Sequence, residues 1–308
     1  MTAPRPILAG RTYLLSRRCT QRQFLLRPDP HVENVFLYCL GEAAARYDVT
    51  LHAWIALSNH AHLMVRDNHG NLPEFLAHLH RMIARALNAY RGRWENFWAA
   101  EQPSTVYLVE AGDRFDKLVY LLANPVADHL VDRVSDWPGA CSLPQHLSGR
   151  PKTVKRPWAF FRKGGRMPEQ VTLRAERPEG FEQLGEQEWI EKLTAAVCAA
   201  EQKARDERAK GQRRVLGRKA VLRVAPTDRP RSLEPRGRLS PQVACKNRKN
   251  RIDVLAALVR FRVAHREARM LWCAGERQVL FPAGTYRMLA FGVLCAAHAD
   301  ARSIAAPS

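Results

Sequence analysis

The chain lacks any run of 18 or more apolar residues, so it offers no helix long and greasy enough to cross a bilayer. Its opening, MTAPRPILAGRTYLL, has only a short apolar stretch, broken by Pro6 and Gly10, and does not read as a signal peptide. The seven cysteines (Cys19, Cys39, Cys141, Cys198, Cys245, Cys273 and Cys295) form no C-x-x-C, are odd in number and lie far apart. That argues against a disulfide framework or a cysteine zinc site and for a reducing, cytoplasmic setting. No internal repeat is visible. Negative charge is scarce in the second half: residues 151–308 hold 33 Lys+Arg against 16 Asp+Glu, while residues 1–150 hold 16 against 14. Of the net charge of +19, all but +2 therefore sits beyond residue 150. A polyanion is the expected partner for such a surplus, and nucleic acid is the first choice; a solvated basic tail is the alternative.

What is present in residues 1–143 reads as one α/β unit. RTYLLSR (11–17) alternates like a strand. Residues 29–47 carry apolar side chains at helical spacing, through Val32, Val35, Phe36, Cys39, Leu40 and Ala43. VTLHAWIALS (49–58) and HLMVR (62–66) are strand-like. NLPEFLAHLHRMIARALNAYRGR (71–93) is strongly helical, with Asn71 as its expected cap and Pro73 in the first turn. STVYLVEA (104–111) is a further strand, and Asp113 is the expected cap of a helix through FDKLVYLLAN. The order β-α-β-β-α-β-α suits an α+β fold: an antiparallel sheet of ferredoxin-like type with helices on one face. Residues 144–183, rich in Pro, Gly, Lys and Arg, read as an extended basic segment or linker. Residues 184–308 read as a basic, mainly helical and irregular C-terminal region, with helices expected over 184–214 and 251–272.

Two histidines in LSNHAHLMVR (57–66) raise the question of function, because a buried imidazole is costly without a partner. On a strand, residues i and i+2 point to one face, about 6.5–7 Å apart along the backbone. His60 and His62 can therefore converge on one ion, while Ala61, Leu63 and Val65 face the core. A second H-x-H, His78-Leu79-His80, lies in a helical stretch, where i and i+2 diverge by about 200° and cannot share an ion. There the pattern reads as surface or groove decoration. Farther along, KLVYLLANPV (117–126) puts Tyr120 and Asn124 on one helix face. A carboxamide oxygen suits a hard cation such as Mg²⁺ or Mn²⁺, so His60, His62 and Asn124 form a candidate ligand set with the Tyr120 hydroxyl beside it. Pro125 removes a helical hydrogen bond, so a kink or an end is expected at Asn124.

These residues resemble the REP-associated tyrosine transposases, within the single-tyrosine HUH transposase superfamily. The family pattern is an M-P-N-H-x-H-hydrophobic strand followed by a Y-I-x-x-N-P-V-R-A helix; here these read LSNHAHLMV and YLLANPVADHL. SRRCTQRQFLL near the start and RYDVTLHAWIALSNH also look like the family, and the resemblance spans roughly residues 8–140. It implies the HUH fold and a metal-assisted cut in DNA that is single-stranded or hairpin-flanked. Tyr120 is then the nucleophile, with His60, His62 and Asn124 as metal ligands. The product is a 5′-phosphotyrosine link and a free 3′-OH, which keeps the bond energy for rejoining. Two departures stand out. Leu57-Ser58 replaces Met-Pro, and Ala127-Asp128-His129 follows Asn-Pro-Val where the family has Arg-Ala-Gly. An acid there would repel DNA.

The expectation is thus a DNA transposase-type endonuclease and strand transferase, with a decayed or domesticated nucleic-acid-binding regulator as the alternative. The DNA-contacting candidates are Lys117 near the tyrosine and, in the basic half, Arg213, Arg214, Arg218, Lys219, Lys246, Arg248, Lys249 and Arg251. Trp158, Phe160 and Phe161, beside Arg162 and Lys163, are either base-stacking residues or ordinary packing. A monomer and a homodimer are both left open, and no membrane partner is expected.

Overall fold

Alternating and continuous apolar runs in the first half become β1 (Arg11–Arg18), β2 (Val49–Ala56), β3 (His60–Asp67) and β4 (Ser104–Leu108) in the computed structural model. The helices between and after them are α1 (Pro30–Tyr47), α2 (Leu72–Tyr90) and α3 (Ala111–Ala127). The structure describes residues 3–143, 146, 149–232 and 241–297. Residues 144, 145, 147 and 148 of the expected linker, and 233–240 and 298–308 of the expected C-terminal region, lie outside the described residues.

The second half adds β5 (Lys152–Lys155), β6 (Gln170–Leu173), α4 (Glu186–Lys210), α5 (Arg218–Arg223), β7 (Val243–Ala244), α6 (Arg248–Cys273), β8 (Leu280–Phe281) and β9 (Leu294–Cys295). The fold is mixed α+β. Its main sheet runs β2-β3-β1-β4-β7, with antiparallel neighbours except for the parallel β4–β7 pair.

Helices cover both faces of this sheet, not one as expected. Leu15, Trp54 and Leu63 pack with α1 and α2, whereas Leu14, Ile55 and Met64 pack with Leu118, Leu121 and Leu122 of α3. The reason lies in β2 and β3, whose residues are buried almost without alternation, as strands covered on both sides are. The second face is finished by the C-terminal half: Trp189, Leu193 and Val197 of α4 close over α3.

Local chemistry sets the helix starts. Asp29 accepts the backbone N–H of Val32 at 2.8 Å, and Pro30 opens α1. Asn71 precedes α2, but its side chain does not cap it. The carboxylate of Asp67 does that work, accepting the N–H groups of Gly70, Asn71 and Leu72 at 2.8–3.0 Å. α3 begins two residues before the expected Asp113, in a reciprocal capping box between Glu110 and Asp113. It also continues through Asn124 and Pro125 to Ala127. The proline falls in the last turn and forfeits one bond, from its own missing N–H to the Leu121 carbonyl, while Leu121, Leu122 and Val126 are buried around it and hold the helix.

Part of the stretch expected as linker pairs instead as the antiparallel β5–β6 hairpin, which packs on α1. Gly41 permits the close approach: a Cβ there would sit 2.8 Å from Val171 Cγ2. Phe161 is buried edge-on to Tyr38, with ring centroids 5.2 Å apart, while Trp158 is exposed beside His31.

Candidate catalytic and metal site

β3 opens with His60 and sends His62 to the same face, above which α3 lays Tyr120 and Asn124 one turn apart. The two imidazole centroids are 4.8 Å apart with rings perpendicular, and His62 meets Tyr120 edge-on at 6.1 Å. Ala61, Leu63 and Val65 face the opposite core, as the strand alternation predicts.

His60 Nδ1 lies 2.7 Å from Asn59 Oδ1. A carboxamide oxygen only accepts, so Nδ1 carries the proton and donates, leaving the Nε2 lone pair free. Both ring nitrogens of the buried His62, and Oδ1 of the buried Asn124, have no hydrogen-bond partner. Burial drives the His60 pKa down to about 3, with His62 and Arg18 adding to the effect, and drives that of His62 down to about 4. At neutral pH both rings are uncharged and keep a lone pair. Two neutral imidazoles on one strand face and an orphaned carboxamide oxygen on the helix above them are a donor set that suits a divalent cation.

Tyr120 is 46 % exposed, at the rim of this site. Burial of part of its ring raises its pKa above the usual phenol value; Asp128, one turn beyond Asn124, raises it further, and a hydrogen bond from Asn124 opposes both. Lys117 Nζ lies 5.3 Å from the Tyr120 ring centroid, so of the DNA-contact candidates this one stands at the site. Tyr107 is turned away: its ring packs at 6.0 Å from Tyr13 under the guanidinium of Arg11.

The second H-x-H pair differs from expectation in one respect. His78 and His80 do diverge, but neither is surface decoration. His78 is buried with Nε2 2.6 Å from Glu42 Oε2, and His80 packs on Trp98 at 5.3 Å. The basic-half candidates are dispersed. Arg213, Arg214, Lys219, Arg248 and Lys249 are exposed, Arg218 donates to the Asp136 carbonyl at 3.2 Å, and Arg251 donates to that of Cys245 at 3.4 Å. Lys246 is held by Asp116 and by Asp113, a joint between β7 and α3. Glu110, Asp113 and Cys245 bring ligand atoms within 4.8 Å of one another. These atoms are committed already, to the capping box, to Lys246 N and to the Asn247 carbonyl.

Two contributors are not visible in the sequence. The role of Asn59 as the residue that orients His60 is signalled only by its adjacency in N-H-x-H. The influence of Asp128 on the tyrosine itself depends on α3 running past Pro125.

No family model and no curated protein matches the sequence. Among solved structures, a REP-associated tyrosine transposase bound to a REP hairpin aligns at 17 % identity and a TM-score of 0.42, over 48 % of this chain and 86 % of that one. A putative transposase from Deinococcus radiodurans R1 aligns at 18 % identity and a TM-score of 0.28, over 38 % of this chain and 93 % of that one. At these identities and TM-scores neither likeness bears on the chemistry of this chain.

Proposed function

We propose that this chain is a metal-dependent, single-strand DNA endonuclease and strand transferase of transposase type, with its catalytic unit in residues 1–143 and Tyr120 as nucleophile. The observation that carries the reading is that His60, His62 and Tyr120 come together between β3 and α3, with both ring nitrogens of His62 and Oδ1 of Asn124 buried and without a hydrogen-bond partner. The antiparallel order β2-β3-β1-β4 is consistent with a ferredoxin-like core.

His60, His62 and Asn124 would hold the cation. The carboxamide oxygen suits Mg²⁺ or Mn²⁺, and the two imidazoles favour Mn²⁺ of the pair. When bound, the ion supplies charge that polarises a phosphate oxygen and favours the ionised phenol. The chain's own groups do the rest. Tyr120 Oη attacks the phosphorus, the bond from phosphorus to the 3′ oxygen breaks, the phenol proton is lost and the departing oxygen gains one. Asn59 fixes the His60 tautomer, Asn124 donates to the phenol, and Lys117 offers a positive charge to the incoming phosphate.

The test is incubation of the full chain and of Tyr120→Phe with labelled, hairpin-flanked single-stranded oligonucleotides and Mn²⁺. The wild type should form a denaturant-resistant protein–DNA adduct and release a 3′-OH fragment, whereas Tyr120→Phe should bind and not cut. An adduct formed by the Phe variant would remove Tyr120 from the role.

A second reading, a regulator that binds without cutting, has one observation in its favour: Asp128 and burial both make the Tyr120 phenol a poorer nucleophile. Asp128→Asn decides between them. On the enzyme reading it raises adduct yield and DNA affinity by removing a negative charge beside the phosphate; on the regulator reading it changes affinity alone.

A further inference from the structure

One large concavity among the described residues contains neither the tyrosine nor the histidine pair. It is a trough of about 1030 Å³ on the α2 side of the sheet, roofed by α6 and the residues after it. Arg5, Arg17, Arg262, Arg266, Arg269 and Arg287 line it, and no Asp or Glu does. Arg262, Arg266 and Arg269 follow one another at i, i+4 and i+7, one face of α6 spanning about 10 Å at the usual helical rise. Within the trough, Arg5 donates to the Thr105 carbonyl and Arg262 to the Pro4 carbonyl and Gln242. Arg266, Arg269 and Arg287 are exposed, and none of the three has a salt-bridge partner among the described residues.

Six guanidinium groups line the trough with no carboxylate among the lining residues; Glu101 beside Arg17 and Glu74 on Tyr286 flank it, and the repulsion left among the other arginines has a cost. A polyanion relieves it. Between the arginines stand Tyr286 and Phe291, the latter 65 % exposed, while Phe261 is buried against His265 beneath them. Cationic groups that track a backbone, interleaved with ring faces that take bases, are the recipe for a single-stranded nucleic acid.

The trough and the tyrosine site lie on opposite faces of the sheet at the end of β1. Arg17 lines the trough, and its neighbour Arg18 is the register partner of His60 on the opposite face. A nucleic-acid strand passing from the trough to the histidine pair has therefore to round the end of β1.

We infer that the α2–α6 trough is a second nucleic-acid site, which grips the phosphates of single-stranded DNA and feeds that strand over the end of β1 toward Tyr120. The choice of DNA rests on the proposed function; the grip on a single strand does not. The decisive measurement is binding of a fluorescein-labelled oligo(dT) 20-mer, followed by anisotropy over a range of salt in EDTA, where cleavage plays no part. Each single-strand phosphate contact contributes a slope of about −0.7 to log affinity against log salt. The triple change Arg266→Ala, Arg269→Ala, Arg287→Ala should flatten the slope by about 2. The matching Arg→Lys triple should keep the slope near wild type, which a merely structural role would not require. Arg213→Ala, Arg214→Ala, Lys219→Ala serves as the control of equal charge outside the trough and should flatten the slope less. An unchanged slope in the Ala triple, an equal loss in the Lys triple, or no binding by the wild type overturns the inference. Tighter binding of oligo(U) than of oligo(dT), lost in the same Ala triple, overturns its assignment to DNA. If the slopes behave as expected while the wild type never forms an adduct with Mn²⁺, the trough stands and the cleavage reading falls.

Discussion

Replacing His62 by Leu should make the metal-free protein more stable while destroying its function. His62 is 7 % exposed, and neither ring nitrogen has a hydrogen-bond partner. One nitrogen is a stranded donor and the other a stranded acceptor, and an unsatisfied buried polar group costs about 1–3 kcal/mol. Leucine is of similar volume, and its neighbours Met64 along β3 and Ile55 across from it on β2 are apolar already. The substitution should therefore raise the free energy of unfolding by about 1–3 kcal/mol in EDTA. In Mn²⁺ the order reverses. The wild type gains RT ln(1 + [Mn²⁺]/Kd), about 4.1 kcal/mol at a thousandfold excess over Kd, and the variant gains nothing. Urea denaturation followed by far-UV circular dichroism, with and without Mn²⁺, reads both arms. A variant less stable than wild type in EDTA would show that His62 is satisfied within the fold, and the inference of a ligand site from orphaned donors would fail with it.

Asn59→Ala frees the His60 ring to flip or change tautomer, and losing such an orienting partner typically weakens metal binding 10–100-fold. Calorimetric titration with Mn²⁺ checks this, and an unchanged affinity would count against the tautomer assignment. His78→Ala should leave Mn²⁺ affinity intact but cost about 1–3 kcal/mol of stability, because it leaves Oε2 of the buried Glu42 carboxylate without its partner while Arg46 still holds Oε1. Equal loss of Mn²⁺ affinity in His60→Ala and His78→Ala would refute the strand-versus-helix argument. His146 is buried, and burial, the first cause, holds its pKa down to about 4 against 6.5 for the free side chain. A depressed folded-state pKa contributes stability in full above pH 6.5 and loses it as pH falls toward 4, which amounts to about 2 kcal/mol between pH 7 and pH 5. His146→Leu should lose that much less stability over the same interval, as read from urea midpoints at the two pH values.

The elements that are legible in the sequence are those whose signal is local. The alternation in RTYLLSR and the spacing of Val32, Phe36, Leu40 and Ala43 mark β1 and α1, and the period of a strand alone puts His60 and His62 on one face. What is not legible depends on distant partners. β7 is two residues long and has no periodicity; it exists because the edge of β4 offers unpaired backbone groups. The choice of Asp67 over Asn71 as the cap of α2 turns on backbone geometry that both residue types tolerate. The trough arginines carry no local signal, because Arg5, Arg17, Arg262 and Arg287 are scattered along the chain, whereas runs such as Arg213-Arg214 and Arg248-Lys249 stand out. Clustering in sequence is a poor guide to clustering in space.

The basic half cannot be treated as a detachable arm. Trp189, Leu193 and Val197 of α4 are at most 4 % exposed, and they pack on the outer side of α3, the helix that presents Tyr120 and Asn124 to the histidine pair. Burying each such side chain stabilises by about 1.5–3 kcal/mol. Three of them together rival the roughly 5–15 kcal/mol by which a whole domain is typically stable. Cutting the chain near residue 145 would thus bare the back of α3 and loosen Tyr120 and Asn124, so lost cleavage in such a fragment would say nothing about DNA contacts. The same half closes the sheet edge through β7 and roofs the arginine trough through α6. Its surplus of positive charge and its apolar side chains are therefore parts of one arrangement. The apolar side chains hold α3 in place, and the arginines surround the path by which a strand would approach it.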